Sequence, residues 1–544
     1  MKRVFIPLLI ALLAGTGIWA AHNDFGLGRN MEILINMMRS LSTYYVDEVS
    51  SDELMVDAAQ GMVHRLDPYT QYLPEEEMTE FDILTTGKYG GVGSLIRKRG
   101  EWIIFARPYE GSPADRAGIR IGDKILEVDD KSAQGMEISE VSSLLKGDPN
   151  TTVKVKIQRL LDDQIETLHI RRERIAIPGI PYAGWVAPGI AYLQHSDFTE
   201  GCYEEMRKAI EELQAEGELK GLILDYRSNG GGFLQEAVKI VGLFTPAGTE
   251  VVRTKGRKGE QIFRTEQAPL LPNLPLAVLI NNGSASAAEI VAGSLQDLDR
   301  GVLLGQKSFG KGLVQSTLPL GYNAYLKLTT GKYYIPSGRC IQAIDYSEHA
   351  EGNGREVVDS MAFRTLGGRE VWDGGGITPD CCLAPRYISN FALTLYALGF
   401  IEDYVDDYMK RHHSEPFDAK NFSLNDEEYA LFVRSIEEKE VPYESASRRM
   451  LARMKEAAQA DHFRELEAQI EVLEENLKDD KMTNLETYRQ EIIETIEADI
   501  ALRYGYQAGM IAFNITRDSE VQEAVELLLD TARYNRILTP ESED

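Results

Sequence analysis

Apolar residues early in the chain recur at three- and four-residue steps, and after Gly87 they do not. Over "MEILINMMRSLSTYYVDEVSSDELMVDAAQGMVHRL", within residues 30–81, the spacing predicts amphipathic helices, with Ser51 or Asp52 as the N-cap of a second one. Two prolines in "LDPYTQYLPEEE" end that pattern. From Gly87 short strands are broken by Gly and Asp, with helical pieces at 112–117 and 138–145. From Ile177 to about Pro385 the apolar runs "GIAYLQ", "GLILDY", "LAVLI", "GVLLGQ" and "AYLKLTTGKYYI" alternate with helical stretches, which predicts an α/β core with buried strands. Beyond Ile388 the chain reads as helical and charged. Phe463, Leu466, Ile470, Leu473 and Leu477 form one apolar stripe, and Leu485, Tyr488, Ile492 and Ile496 form another. "DDKMTN" between them predicts an antiparallel helical hairpin, and "TPESED" reads as a solvated tail.

These changes divide the 544 residues into a leader over 1–21, an N-terminal helical segment over 22–86, a β-rich module over 87–176, an α/β core over 177–387 and a helical C-terminal domain over 388–544. The fold class is multidomain α/β, too long for one hydrophobic core.

Charge narrows the partners. A net charge of -28 argues against nucleic acid, whose phosphates need clustered Lys and Arg. "MKRVFIPLLIALLAGTGIWAAHN" has the basic start, apolar run and small residues of a secretory signal. A cut after Ala20 or Ala21 places Ile18 or Trp19 where a small residue is preferred, so an uncleaved anchor stays open as the alternative. Either way the chain is expected to be exported, to the periplasm or cell envelope. The four cysteines, Cys202, Cys340, Cys381 and Cys382, match no zinc or redox spacing and are expected to be free thiols.

Candidate chemistry gathers around "NNGSASAAEIVAGSLQD", residues 281–297. Small residues there suit either close helix packing or a nucleophilic serine that needs space. A Ser-His-Asp triad lacks a suitable histidine: His195, after an apolar strand, reads as a loop or partner-contact residue. Lysine is the other base, provided that burial lowers its pKa. Lys307 and Lys311 lie in "LLGQKSFGKGLVQ", and glycines flank Lys311. A lone lysine is otherwise a solvated surface residue. The glycine run in "GLILDYRSNGGGFLQEAVKIVGLF" lacks the GxxxxGK[ST] pattern of a phosphate loop.

Two resemblances sharpen these alternatives. "GGVGSLI", "SPADRAGIRIGDKILEVDD" and "TVKVKIQR" together resemble a PDZ domain. By that resemblance Gly91, Val92, Gly93 and Ser94 would capture a peptide carboxylate while the peptide adds to a sheet edge; read alone, the glycines need only be a tight turn. "SASAAEIVAGSLQDLDRGVLLGQKSFGKGLVQ" resembles the active-site block of the C-terminal processing, or tail-specific, serine proteases. The resemblance covers about residues 40–385, including "YYIPSGRCIQ" and "GGGITPD".

It implies Ser286 as nucleophile, Lys311 as general base and Gln315 as the residue orienting that lysine. Gly231, Gly232 and the N–H of Ala287 would be oxyanion donors, and Asp297, eleven residues past Ser286, would support the helix or the site. Ala288 and Cys340 depart from the family pattern outside the dyad. The resemblance further implies a β-spiral core of the crotonase and Clp-protease group, no metal or cofactor, and protein substrates with free C-termini. The helical ends suggest homodimer or adaptor contacts. Two other readings compete with the exported endopeptidase. One is a catalytically silent scaffold binding C-terminal tails; the other is a Ser-Lys amidase.

Overall fold

The computed structural model describes residues 26–78, 81, 87–346, 355–356, 360–477 and 480–539, so the expected leader over 1–21 lies outside it. Among the described residues no helix is long and apolar enough to cross a membrane. The chain forms two compact units. One draws on residues up to Thr79, Val314–Gly331 and Ile344–Glu356; the other holds the remainder.

The first unit contains a helix over residues 26–44 and a helix Ser51–Val63. The cap of the second helix is Ser50, one residue before the expected Ser51 or Asp52. Its extended backbone lets the hydroxyl accept from the N–H groups of Asp52 and Glu53, whose carboxylates then favour the helix N-terminus. Where the two prolines end the helical pattern, the segment forms a short strand. Asp67 makes a turn by accepting from Tyr69 N, Thr70 N and Thr70 Oγ1, and Gln71–Leu73 then pairs antiparallel with Tyr325–Lys327. The hairpin bearing Tyr325 turns at Tyr322 and Asn323, both left-handed, as a two-residue turn of type I′ requires.

In the second unit, the β-rich module is an antiparallel sheet in the order Ser94–Arg99, Trp102–Pro108, Lys124–Val128, Thr152–Gln158, Ile165–Arg171. Alternation along Thr152–Gln158 buries Val153, Val155 and Ile157 against Val141 and Leu145 of helix Ile138–Leu145. A separate pair, Lys88–Gly91 with Glu173–Ala176, brings the ends of the module together.

The α/β core carries a six-stranded sheet ordered Tyr182–Ala187, Ile190–Gln194, Gly221–Asp225, Leu276–Ile280, Val302–Gly305, Cys381–Cys382. The first pair is antiparallel and the others are parallel, in the register Tyr192↔Ile223↔Ala277↔Val302. Its central strands are buried throughout, as near-continuous apolar runs predict for strands covered on both faces. One face is covered by residues far along the chain. Ile190, Tyr192, Ile223, Ala277, Leu279 and Leu304 pack against Ile511, Val521, Ala524, Val525 and Leu528.

The helices expected beyond residue 388 are present, but they do not all pack in a single core. The long helix Arg489–Ile515 is broken at Gly505 and Tyr506, the latter at φ 54°. Before the break, Ile492, Ile496 and Ile500 join Phe391, Ile401, Val405 and Phe432 in a helical core. After it, the chain covers the sheet. The expected hairpin between residues 463–477 and 485–496 does not form either. Helix Arg464–Asn476 pairs with Ala446–Ala460, bridged by Lys455 and Glu474 at 2.8 Å, because the second stripe is taken up by the Phe391 and Phe432 core.

Candidate active site

The strand Leu276–Ile280 delivers the chain into a tight turn. Asn281 Oδ1 accepts from Ser228 N and Gly283 N, at 2.8 and 3.0 Å. Ser284 Oγ donates to the Tyr226 carbonyl at 2.8 Å and accepts from Asn281 N at 2.9 Å, so this buried hydroxyl is committed to the turn. Ser286 follows at φ 56° and ψ -114°, a conformation that L-residues with a side chain rarely adopt. It is half-buried and immediately precedes helix Ala287–Asp297, every residue of which is buried. Small residues in that helix serve packing: a Cβ at Gly293 would lie 2.7 Å from Ile335 Cδ1.

One carboxylate organises the turn. Glu289, fully buried, accepts from Ser286 N at 2.8 Å and Lys311 N at 2.9 Å on Oε2, and from Ser308 Oγ at 2.5 Å and Gly310 N at 2.7 Å on Oε1. Burial pushes its pKa up, while the four hydrogen bonds oppose the rise. The Tyr333 hydroxyl reaches the Ser286 carbonyl at 3.1 Å and also the Lys311 carbonyl. Phe309 N donates to Ser284 O, and Gly312 N to Gln342 Oε1, which pins the lysine segment on both sides. The structure therefore brings the backbones of Ser286 and Lys311 together. Gln315 belongs to the first unit, where its carboxamide donates to Thr329 Oγ1 and Thr329 Oγ1 donates to Asp67.

The glycine loop lies against the serine. A Cβ at Gly231 (φ 97°) would sit 2.7 Å from Ser286 Cβ, and one at Gly232 (φ 144°) would sit 2.4 Å from the Phe198 carbonyl. Only glycine fits either position. The Gly231 N–H donates to Asn229 Oδ1 at 2.9 Å in this conformation, while the Asn229 amide donates to His195 O and the Asn229 carbonyl accepts from Ala285 N. Ala287 opens its helix, so its N–H has no partner within the helix.

His195 lies in the loop after its strand, as expected, but its ring points inward rather than toward a partner. It is fully buried with Phe198 and Tyr226, and burial pushes its pKa down to about 3. Its Nε2 lies 3.0 Å from the Asp197 carbonyl, which can only accept, so the neutral ring carries its proton there.

Asp297 is fully buried and pairs with Arg339 at 2.8 Å, while its other oxygen accepts from Ser337 N at 2.9 Å. In the β-rich module, Val92 O accepts from Ala114 N and Gly93 O from Tyr109 N, so both carbonyls of the candidate carboxylate loop are engaged by the 109–114 segment. Gly93 is left-handed, and a Cβ there would clash with Ser112 at 2.5 Å; Gly91 ends its strand and Ser94 begins the next. All four cysteines are free. Among the described residues no group of three or more His, Cys, Asp or Glu is placed to hold a metal.

Sequence reasoning missed Glu289, Asn229 and Tyr333. A signal for the first was present: Ser286 and Glu289 have the spacing of a capping box, in which the acidic side chain reaches back to the N-cap N–H. Asn229 and Tyr333 act through contacts distant in sequence.

Comparison with known proteins places these features in context. The family model "Peptidase family S41" matches residues 189–350, a PDZ domain model matches 104–159, and "Probable PDZ-protease, C-terminal helical domain" matches 391–528. A carboxy-terminal-processing protease of Bartonella bacilliformis is 36% identical over 314 residues, covering 57% of this chain and 72% of that protein. A probable CtpA-like serine protease of Staphylococcus aureus is 34% identical, covering 62% of this chain and 66% of that protein. Among solved structures, a photosystem II D1 C-terminal processing protease is 26% identical with a TM-score of 0.35, covering 65% of this chain and 93% of that one.

Proposed function

The chain belongs to peptidase family S41 and is a serine-type peptidase, and from that premise we propose that it cleaves exported proteins near their C-termini with a Ser286–Lys311 dyad. Lys311, neutral, takes the proton from Ser286 Oγ as that oxygen attacks the substrate carbonyl. The tetrahedral oxyanion collapses, the C–N bond breaks, and Lys311 returns the proton to the leaving amine. Water, deprotonated by the same lysine, then hydrolyses the acyl-enzyme. Ala287 N–H and the Gly231–Gly232 backbone stabilise the oxyanion. The observation that carries this reading is the shared Glu289 Oε2, which fixes the serine and lysine backbones to one atom.

Recognition is assigned to the PDZ domain, where Gly91, Val92, Gly93 and Ser94 take the terminal carboxylate of the substrate. The basic and apolar start of the chain supports export to the periplasm or cell envelope. Met31, Ile35 and Met37, half or more exposed on the first helix, support a homodimer or adaptor contact there. The test compares cleavage of one unfolded protein carrying a free or an amidated C-terminus. Faster cleavage of the free form is expected. Equal rates would remove the carboxylate assignment, and undiminished cleavage by Ser286→Ala would remove the nucleophile.

A further inference from the structure

The two segments that carry the candidate chemistry meet a third element from the end of the chain. Strand Gly221–Asp225 leads into the glycine loop through Tyr226 and Arg227. Asp225, buried, accepts from Arg227 N at 2.9 Å and from Arg227 Nη2 at 2.6 Å. The free edge of that guanidinium points elsewhere: Nη1 donates to Asp518 Oδ2 at 2.8 Å and to Glu520 Oε2 at 2.6 Å. Both acids lie at the start of helix Ser519–Leu529, and Asp518 also caps that helix by accepting from Glu520 N at 2.9 Å.

The second oxygen of Glu520 continues the chain of contacts. Oε1 accepts from Gln306 Nε2, and the same carboxamide donates to Leu383 O at 3.2 Å. Gln306 follows the strand Val302–Gly305, keeps its register by donating from its N–H to Ile280 O, and opens the stretch that contains Ser308, Gly310 and Lys311. Glu520 is therefore a buried carboxylate with one oxygen on the glycine-loop arm and the other on the lysine arm.

We propose that Glu520, acting with Arg227, is a positioning residue for proteolysis, through which helix Ser519–Leu529 sets the spacing between the oxyanion loop and the lysine segment. This rests on the Ser286–Lys311 reading. A charged acceptor shared by two forked donors has a fixed geometry, and small displacements of reacting groups are expensive in rate. The helix itself does not depend on Glu520 for its place, because Val521, Ala524, Val525 and Leu528 bury it on the sheet.

The test uses the full chain and an unfolded protein substrate, with kcat, KM and Tm measured for Glu520→Ala, Glu520→Gln and Glu523→Gln. Glu523 sits on the same helix but pairs with Arg533 at 2.6 Å, so its variant controls for general damage to the helix. Glu520→Ala is expected to lower kcat about a hundredfold with KM nearly unchanged. Glu520→Gln, which keeps one accepting oxygen, is expected to lose about tenfold. Glu523→Gln should leave kcat intact. Wild-type kcat in Glu520→Ala overturns the proposal, as does a loss that Glu523→Gln shares in proportion to Tm. Should Glu520→Ala fail to fold, Glu520→Gln decides alone, and an unchanged kcat overturns the proposal. Ser286→Ala runs in parallel. If it is inactive while the Glu520 variants are unimpaired, only this inference fails; if it is fully active, the dyad reading fails and takes this inference with it.

Discussion

Ser286 and Lys311 donate their backbone N–H groups to the same atom, Oε2 of Glu289, at 2.8 and 2.9 Å. Their relative position is thus set by a buried side chain that itself belongs to neither end of the proposed dyad, and it is reinforced where the Tyr333 hydroxyl meets both carbonyls.

Glu289→Gln keeps the volume but turns an NH2 toward backbone donors, so at least one arm must move. The expected result is a kcat about a hundredfold lower with KM little changed, read by steady-state kinetics. Glu289→Ala strands four donors, two buried and two part-buried, and each buried one costs about 1–3 kcal/mol if left unpaired. A loss of several kcal/mol in denaturant unfolding is expected. Full activity in Glu289→Gln would mean that the dyad does not rely on this anchor.

His195 gives the fold a pH dependence. Its ordinary value is 6.5 and burial holds the folded value at about 3. Between these the unfolded chain binds the extra proton. The stability tied to the neutral ring is therefore complete above pH 6.5 and is lost as pH falls toward 3, at up to ~1.4 kcal/mol per pH unit. Unfolding midpoints measured from pH 7 to 4 should show a shallower slope in His195→Phe than in the parent; identical slopes would contradict the burial assigned to this ring.

Asp297 and Ser284 should fail in a different way from the dyad. Asp297→Ala leaves Arg339 charged and buried, and breaking such a pair costs about 3–5 kcal/mol. Ser284→Ala removes a hydroxyl that serves the turn, at about 1–3 kcal/mol. Both variants are expected to melt earlier yet still form an acyl-enzyme below their melting points. Loss of acylation in a fully folded Asp297→Ala would give that carboxylate a role in the chemistry instead.

Much of this was readable along the chain because the relevant signals are local. Apolar runs marked the buried strands, and the resemblance of residues 284–315 to a family block pointed to Ser286 and Lys311 as candidates. What escaped depends on partners distant in sequence. His195 is a loop residue, as it reads, but nothing local shows that Phe198 and Tyr226 bury its ring. The apolar stripe at Leu485, Ile492 and Ile496 fits a hairpin as well as a domain core, and periodicity alone does not choose between them. The same limit applies to the last helices. Along the chain they read simply as helical and charged, and it is the break at Gly505 and Tyr506 that turns them onto the sheet.

The most direct test of the dyad is the site of covalent trapping. The full chain is treated with a serine-reactive acylating probe over a range of pH, digested, and mapped by mass spectrometry. The account predicts one adduct on Ser286, none in Ser286→Ala, and a labelling rate that falls as pH is lowered and collapses in Lys311→Ala. An adduct on Ser284, or labelling of Ser286 at an undiminished rate in Lys311→Ala, would contradict it.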